Sequence, residues 1–178
     1  DGQIIRGETN IDIPSHDGRL KIGRIWLEPE VSINPTAKKI ISDADLVVLG
    51  PGDLYTSLLP NILVDGISSA LKNTNGKVVY VGNLMTKFGE TNNFSASDFL
   101  RVVEEHVGPG VVDYFVANSE RPTSSRLRPY VGEKASFVEL DLENFSKKPL
   151  IVAASLIRRK GFIRHDPEKL AKLLWELA

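Results

Sequence analysis

The strongest constraint on this fold is a short apolar run that recurs, each time closed by a turn residue. "ADLVVLG" (44–50), "GKVVYVGN" (76–83) and "VVDYFVANS" (111–119) are all rich in β-branched and aromatic residues, and each leads into Gly, Asn or Ser. Runs this short and continuous predict strands buried on both faces. Successive runs lie about 30 residues apart, the size of a parallel strand–helix–strand crossover. In the first gap Ile62, Leu63, Gly66, Ile67, Ala70 and Leu71 fall three to four apart and predict one helical stripe. In the second, "SASD" predicts a capping box in which Ser95 accepts from the backbone at Asp98 and Asp98 reaches back. The helix behind it carries Phe99, Val102, Val103 and His106 and stops near Gly108 and Pro109.

The flanks add weaker elements. "RLKIGRIWLEPE" (19–30) alternates imperfectly and predicts a strand, and "NPTAKKIISDA" predicts a short helix with Pro35 in its first turn. "SFVELDL" and "PLIVAASL" predict two later strands. "HDPEKLAKLLWEL" predicts a last helix capped by Asp166, with Pro167 in the first turn and a stripe of Leu170, Leu173, Leu174 and Leu177. The alternation predicts one α/β domain over residues 1–178: a Rossmann-like, open, mostly parallel sheet with helices on both faces. The first residue is Asp1 and not methionine, so the expectation is that the chain starts inside a longer protein.

In an open parallel sheet, ligands bind outside the carboxyl ends of the strands. The loops beginning at Gly50, Asn83 and Asn118 should therefore share one edge. The first, "GPGDLYTSLLPN", offers Gly50, Pro51, Gly52, Tyr55, Thr56, Ser57 and Asn61. It is neither a dinucleotide fingerprint, because Tyr55 stands at the third glycine position, nor a Walker A loop, because no lysine precedes Thr56. What remains is a glycine-proline-glycine turn with two hydroxyls leading into a helix N-terminus, a place that offers backbone donors to an anion such as phosphate. Tyr55 reads equally as a stacking platform or as core.

The second loop, "NLMTKFGETNNFSASDF", offers Asn83, Met85, Thr86, Gly89, Glu90 and Thr91. Glu90 reads as a ligand for ribose, sugar or metal, as a local backbone cap, or as a solvated loop glutamate. Lys87 reads as solvated and Met85 as core. Asn83 and Asn118 each carry two donors and an acceptor. Arg164 and His165 precede the last helix, where an arginine grips phosphate bidentately. Arg158, Arg159 and Lys160 extend that basic stretch, and Arg126, Arg128 and Tyr130 form a second basic-aromatic cluster; both read equally as solvated surface.

Other chemistries are excluded or unsupported. A net charge of -1 leaves no electrostatic footprint for nucleic acid or an anionic membrane. The chain has no cysteine, which removes disulfides, thiolate metal sites and cysteine nucleophiles. His16, His106 and His165 lack zinc-site spacing, no G-x-S-x-G elbow occurs, and no apolar run reaches the roughly 18 residues of a membrane span.

The motifs resemble the gluconeogenesis-factor (YvcK-like) family of the CofD-like superfamily, which includes the 2-phospho-L-lactate transferases. The matching pieces are "GETNI", "ADLVVLGPGDLYTSLLPNILVDGI", "VGNLMTKFGETNNFSASDF", "DYFVANS" and "RHDPEKLA", in the family's order and over nearly the whole chain. The resemblance implies a CofD-like fold whose N-terminal part, with its own glycine-rich loop, is missing here. It implies a cytoplasmic bacterial protein that binds a UDP-sugar, UDP-N-acetylglucosamine, with a part in central carbon use, cell shape and cell-wall precursor supply. A homo-oligomer or an unknown protein partner is compatible with it. The transferase cousins move a phospholactyl group with magnesium, which makes a magnesium-dependent transferase using Glu90 or Asp98 the alternative, and a fragment without activity the third reading. The chain departs from the family pattern at Asp53, where serine is usual, at Asn92 and Asn93, which replace aspartate-glycine, and at Phe99, which replaces histidine.

Overall fold

In the computed structural model, which describes residues 2–178, the apolar runs become strands β1 (Leu46–Leu49), β2 (Lys77–Val81), β3 (Tyr114–Asn118) and β4 (Leu150–Ala154). Asp1 lies outside the described residues. The four strands form one sheet in the order β1-β2-β3-β4, and every pair is parallel. The helices are α1 (Glu8–Asp12), α2 (Pro35–Asp43), α3 (Leu59–Ile62), α4 (Ile67–Lys72), α5 (Ala96–Val107), α6 (Ser124–Gly132) and α7 (Pro167–Leu177).

Each new strand adds to the same side of the previous one, so right-handed crossovers bring their helices to one face. There α4 and α5 deliver Leu71, Phe99, Leu100, Val103 and Val107 onto Val78, Tyr80 and Phe115. The alternate strand residues Val79, Val81 and Val116 point to the other face, where the leucine stripe of α7 covers them. Asp166 caps α7 by accepting from the N–H groups of Glu168 and Lys169. The expected sheet with helices on both faces is present.

Four local expectations need correction, and two helices add to them. The 19–30 segment is not a strand. Ile22 and Ile25 both turn to the core, and a spacing of three cannot place two side chains on one face of a strand. β1 is the sheet's edge strand, so Val48 stays 39% exposed instead of buried. The stripe from Ile62 to Leu71 is broken: Gly66 adopts φ 93°, a conformation that favours glycine, and α4 starts anew after it. "SFVELDL" forms only an isolated bridge, Met85 with Phe137, and no ladder. Helices α1 and α6 are not foreseen by these patterns; α6 holds Pro129 and four basic or polar positions, Ser124, Ser125, Arg126 and Arg128, which hide its period.

The segment after that bridge turns away to cap α5. Asp98 returns to the Ser95 N–H at 3.1 Å, as expected of the capping box. Asp141 adds a second cap: it accepts from the Ser97 N–H at 3.0 Å, from the Ser95 and Ser97 hydroxyls at 2.8 and 2.5 Å, and from Asn144. Burial pushes the Asp141 carboxyl up, but these donors outweigh it and lower its pKa from 3.8 to about 2. Its contribution to stability is therefore present above pH ~4 and lost as pH falls toward ~2. Asp141→Asn should cost about 1 kcal/mol at neutral pH, a figure already discounted for solvent contact. Urea melts should show the wild-type protein losing more stability than the variant between pH ~4 and ~2, the difference between the two closing by that margin, because Asp17 and Asp98, also held below the ordinary carboxylate range, titrate in both.

Candidate functional site

Because all four strands are parallel, their carboxyl ends and following loops lie on one edge of the sheet. Gly50 turns the chain out of β1 with φ 76°, and a side chain there would crowd the Val81 carbonyl at 3.3 Å. After the Gly50–Pro51–Gly52 turn the chain winds into one π-helical turn, Leu54–Leu58, a geometry often found at functional sites. The Asp53 carbonyl accepts from Ser57 and Leu58 N–H, both at 2.9 Å.

The first two loops are bonded to each other. Asn83 Nδ2 donates to the Gly52 carbonyl at 2.9 Å. Glu90 accepts from the Tyr55 N–H at 3.2 Å and from the Thr56 hydroxyl at 3.2 Å. The third and fourth strand ends are joined too: Asn118 Oδ1 accepts from the Leu156 N–H at 3.1 Å and its Nδ2 donates to the Glu120 carbonyl. The loops share one edge, as strand polarity requires, and direct bonds tie them there in two pairs.

Glu90 is buried, not solvated, and its side chain is 0% exposed. Burial pushes its carboxyl up, while the Lys87 charge and the Tyr55 N–H pull it down; the net direction is upward. Lys87 is likewise not a free surface lysine. Its ammonium donates to Asp12 of α1, to Asp53 at 2.7 Å and lies 3.3 Å from Glu90 Oε1. Burial works against the ammonium, but Asp12, Asp53 and Glu90 outweigh it and hold the lysine above its ordinary pKa. Oxygens of Asp12, Asp53 and Glu90 lie within 4.8 Å of one another, a spacing that suits a cation. The ammonium of Lys87 already stands among them, so the set does not fit magnesium unless Lys87 leaves. Asp98, the other acid named for magnesium, is committed to the cap of α5 and to Arg101.

Two cavities open on this edge. One of about 660 Å³ lies at the β1 end, between the irregular N-terminal segment and the π turn; Tyr55, Thr56 and Gly89 line it, opposite His16, Arg24 and Trp26. Its volume falls within the range of about 300–1,000 Å³ typical of ligand pockets. Nothing in the sequence pointed to His16, Arg24 and Trp26 at a pocket: Arg24 and Trp26 stand in the segment expected to be a strand, and His16 has no motif around it. The other cavity, about 10 Å³, sits between Asn83 and Asn118 and has room for about one water. The Asn83 Oδ1 atom is buried without a partner among the described residues.

The remaining residues named from the sequence divide by what holds them. Tyr55 is core, 6% exposed. Met85 packs half-buried beside Phe137, as expected for core. Thr86 bonds Ser136, Thr91 accepts from the Lys87 N–H, and Asn61 donates to the Ser57 carbonyl. Tyr130 on α6 accepts from the Ile163 N–H at 2.7 Å, and Arg126 donates to the carbonyls of Gly161 and Phe162. The two basic clusters, distant in sequence, therefore meet beyond the end of β4. His165 is half-buried there, with burial lowering its pKa against a bond to the Gly82 backbone. Arg164 is exposed. Among the described residues no helix is long and apolar enough to cross a membrane.

The profile of the 2-phospho-L-lactate transferase CofD family matches residues 1–157. The Bacillus subtilis protein named gluconeogenesis factor is 37% identical over 180 residues, covering 99% of this chain and 55% of its own length. The gluconeogenesis factor of Listeria innocua is 35% identical, covering 98% and 53%. A crystal structure of a UPF0052 family member from Bacillus halodurans superposes with a TM-score of 0.90 at 32% identity, over 98% of this chain and 55% of that one. The chain spans about half the length of the curated relatives it matches.

Proposed function

Because the chain belongs to the CofD family, we propose that the carboxyl edge of its sheet binds a nucleotide sugar, with UDP-N-acetylglucosamine as the ligand, and that occupancy regulates a protein partner. The observation that carries this reading lies along one edge: the loops after β1 and β2 are bonded to each other, those after β3 and β4 are bonded to each other, and His165, next to the exposed Arg164, bonds back to the Gly82 backbone. Four adjacent strands span three spacings of about 4.8 Å each, so the edge accommodates an extended ligand about 14 Å long. In this arrangement the sugar enters the larger cavity beside Thr56, and the phosphates lie toward Arg164 and Tyr130. Gly50, Pro51, Gly52, Ser57, Asn83, Asn118 and His165 shape the floor between them.

By kinship with the relatives named gluconeogenesis factor, the regulated process is central carbon use in the cytoplasm, with cell shape and cell-wall precursor supply downstream. A binding role suits the site better than phosphoryl transfer, since the acidic cluster that a transferase would offer a metal is held by Lys87.

Calorimetry of this chain with UDP-N-acetylglucosamine and with GTP, each with and without magnesium, tests the reading. Magnesium-independent binding of the UDP-sugar is expected. Magnesium-dependent binding of GTP alone would favour the transferase alternative, and silence toward both would end the proposal. Arg164→Ala should weaken the UDP-sugar about tenfold, the effect of losing a hydrogen bond to a charged group, with an unchanged melting temperature because the side chain is exposed.

A further inference from the structure

We propose that Thr56 accepts a hydrogen bond from the ligand, and so selects a donor such as a sugar hydroxyl or amide N–H and rejects phosphate at this wall. The inference rests on the nucleotide-sugar reading and assigns the ligand's orientation within it.

The turn after Gly50–Pro51–Gly52 has the sequence of an anion site, with free N–H groups and hydroxyls at a helix start. In the folded chain that place is taken by the protein's own carboxylate. Glu90 receives the Tyr55 N–H through Oε2 and the Thr56 hydroxyl through Oε1. Its side chain is fully buried, so a ligand in the cavity touches Thr56 and not Glu90.

The direction of the Thr56 bond follows from its surroundings. The groups facing Glu90 are the Tyr55 N–H, the Thr56 hydroxyl and the Lys87 ammonium at 3.3 Å from Oε1. Asp12 and Asp53 reach the other side of Lys87. A carboxylate met by an amide donor and an ammonium acts as acceptor, so the third contact is a hydroxyl donating. A threonine has one hydroxyl proton. With that proton directed at Glu90, only lone pairs of Oγ1 remain for the cavity. A phosphate oxygen carries no proton to offer them and would also approach the charges of Glu90 and Asp53. A pyranose hydroxyl or an N-acetyl N–H has the proton that Oγ1 lacks. Thr56 thus discriminates by polarity, and Glu90 is the positioning residue that sets the polarity.

Thr56→Val keeps the shape and removes the hydroxyl. Titration of the wild-type chain, Thr56→Val and Thr56→Ser with UDP-N-acetylglucosamine and with UDP is the test. Thr56→Val should weaken the UDP-sugar about five- to tenfold and leave UDP unchanged, and Thr56→Ser should restore the difference. Equal weakening of both ligands would mean that Thr56 serves the phosphates and would overturn the inference, as would no weakening of either. A ligand-free measurement separates this from the parent reading. The Thr56 hydroxyl proton should exchange slowly in the NMR spectrum of the wild-type chain and rapidly in Glu90→Gln. A rapidly exchanging hydroxyl in the wild type overturns the inference even if both ligands bind, whereas silence toward both ligands with a protected hydroxyl ends only the nucleotide-sugar reading and upholds the assigned polarity.

Discussion

Replacing Lys87 by methionine should cost the fold about 3 kcal/mol, because it strips the cation from among three carboxylates and leaves Glu90 buried with its charge uncompensated. Removing one partner of a buried ion pair costs about 3–5 kcal/mol. The lower end applies here because Asp12 and Asp53 keep solvent contact, with side chains 32% and 43% exposed. The loss should depend on pH in a defined direction. In the variant Glu90 remains desolvated without its ammonium, so its folded pKa stands above the unfolded one. Such a group weakens the fold at neutral pH and releases that strain as it protonates, so Lys87→Met should recover stability as pH falls from 8 toward ~5. The wild-type chain should behave differently at the alkaline end. Lys87 is held above its ordinary value, so its contribution is present below pH ~10.4 and lost above that. Adding Glu90→Gln to Lys87→Met should recover part of the loss, and the double-mutant cycle measures the coupling. A Lys87→Met chain that melts like the wild type would mean that the four side chains do not meet as described.

Gly76→Ala should cost about 3 kcal/mol for an unrelated reason. Gly76 precedes β2, where the backbone of the β1 entry passes over it. An added methyl would overlap the Ala44 carbonyl oxygen and stand 2.5 Å from the Asp45 carbonyl oxygen. Both obstacles are backbone, and the Asp45 carbonyl is itself fixed by the Lys77 N–H at 2.9 Å. Neither can rotate aside, so the strands must separate at the first register pair, Leu46 with Lys77. Overpacking against rigid surroundings reaches about 3 kcal/mol. Gly23→Ala is the matched control: nothing lies within 4 Å of its added methyl, and the change should stay within about 0.5 kcal/mol. Thermal and urea melts of the pair read the difference directly, and equal stability would contradict the close β1–β2 approach.

The candidate site was half legible. The glycine-proline-glycine turn, the two asparagines and the expectation of a common edge follow from strand polarity, which local patterns carry. The role of Glu90 was not legible, because its partners Tyr55 and Thr56 stand 35 and 34 residues earlier. Asp12 and Lys87 are 75 residues apart. A lone glutamate and a lone lysine in a polar loop look like solvated surface until the fold brings acids and donors to them. The segment 19–30 failed in the opposite way: it has a strand's composition, but among the described residues no neighbouring strand accepts its backbone.

By itself the amino-acid order determined the elements whose signals are local: the apolar runs of β1 to β4, the caps of α5 and α7, and the crossover spacing that makes the sheet parallel. These depend on residues within one or two turns of each other, so periodicity suffices. Tertiary structure alone decided that Gly66 breaks a helix in two, that Lys87 is enclosed by three acids, and that a helix start shaped for an outside anion is filled by Glu90. Those outcomes depend on which distant groups arrive at one place, and electrostatic and hydrogen-bond energies are determined by that arrival.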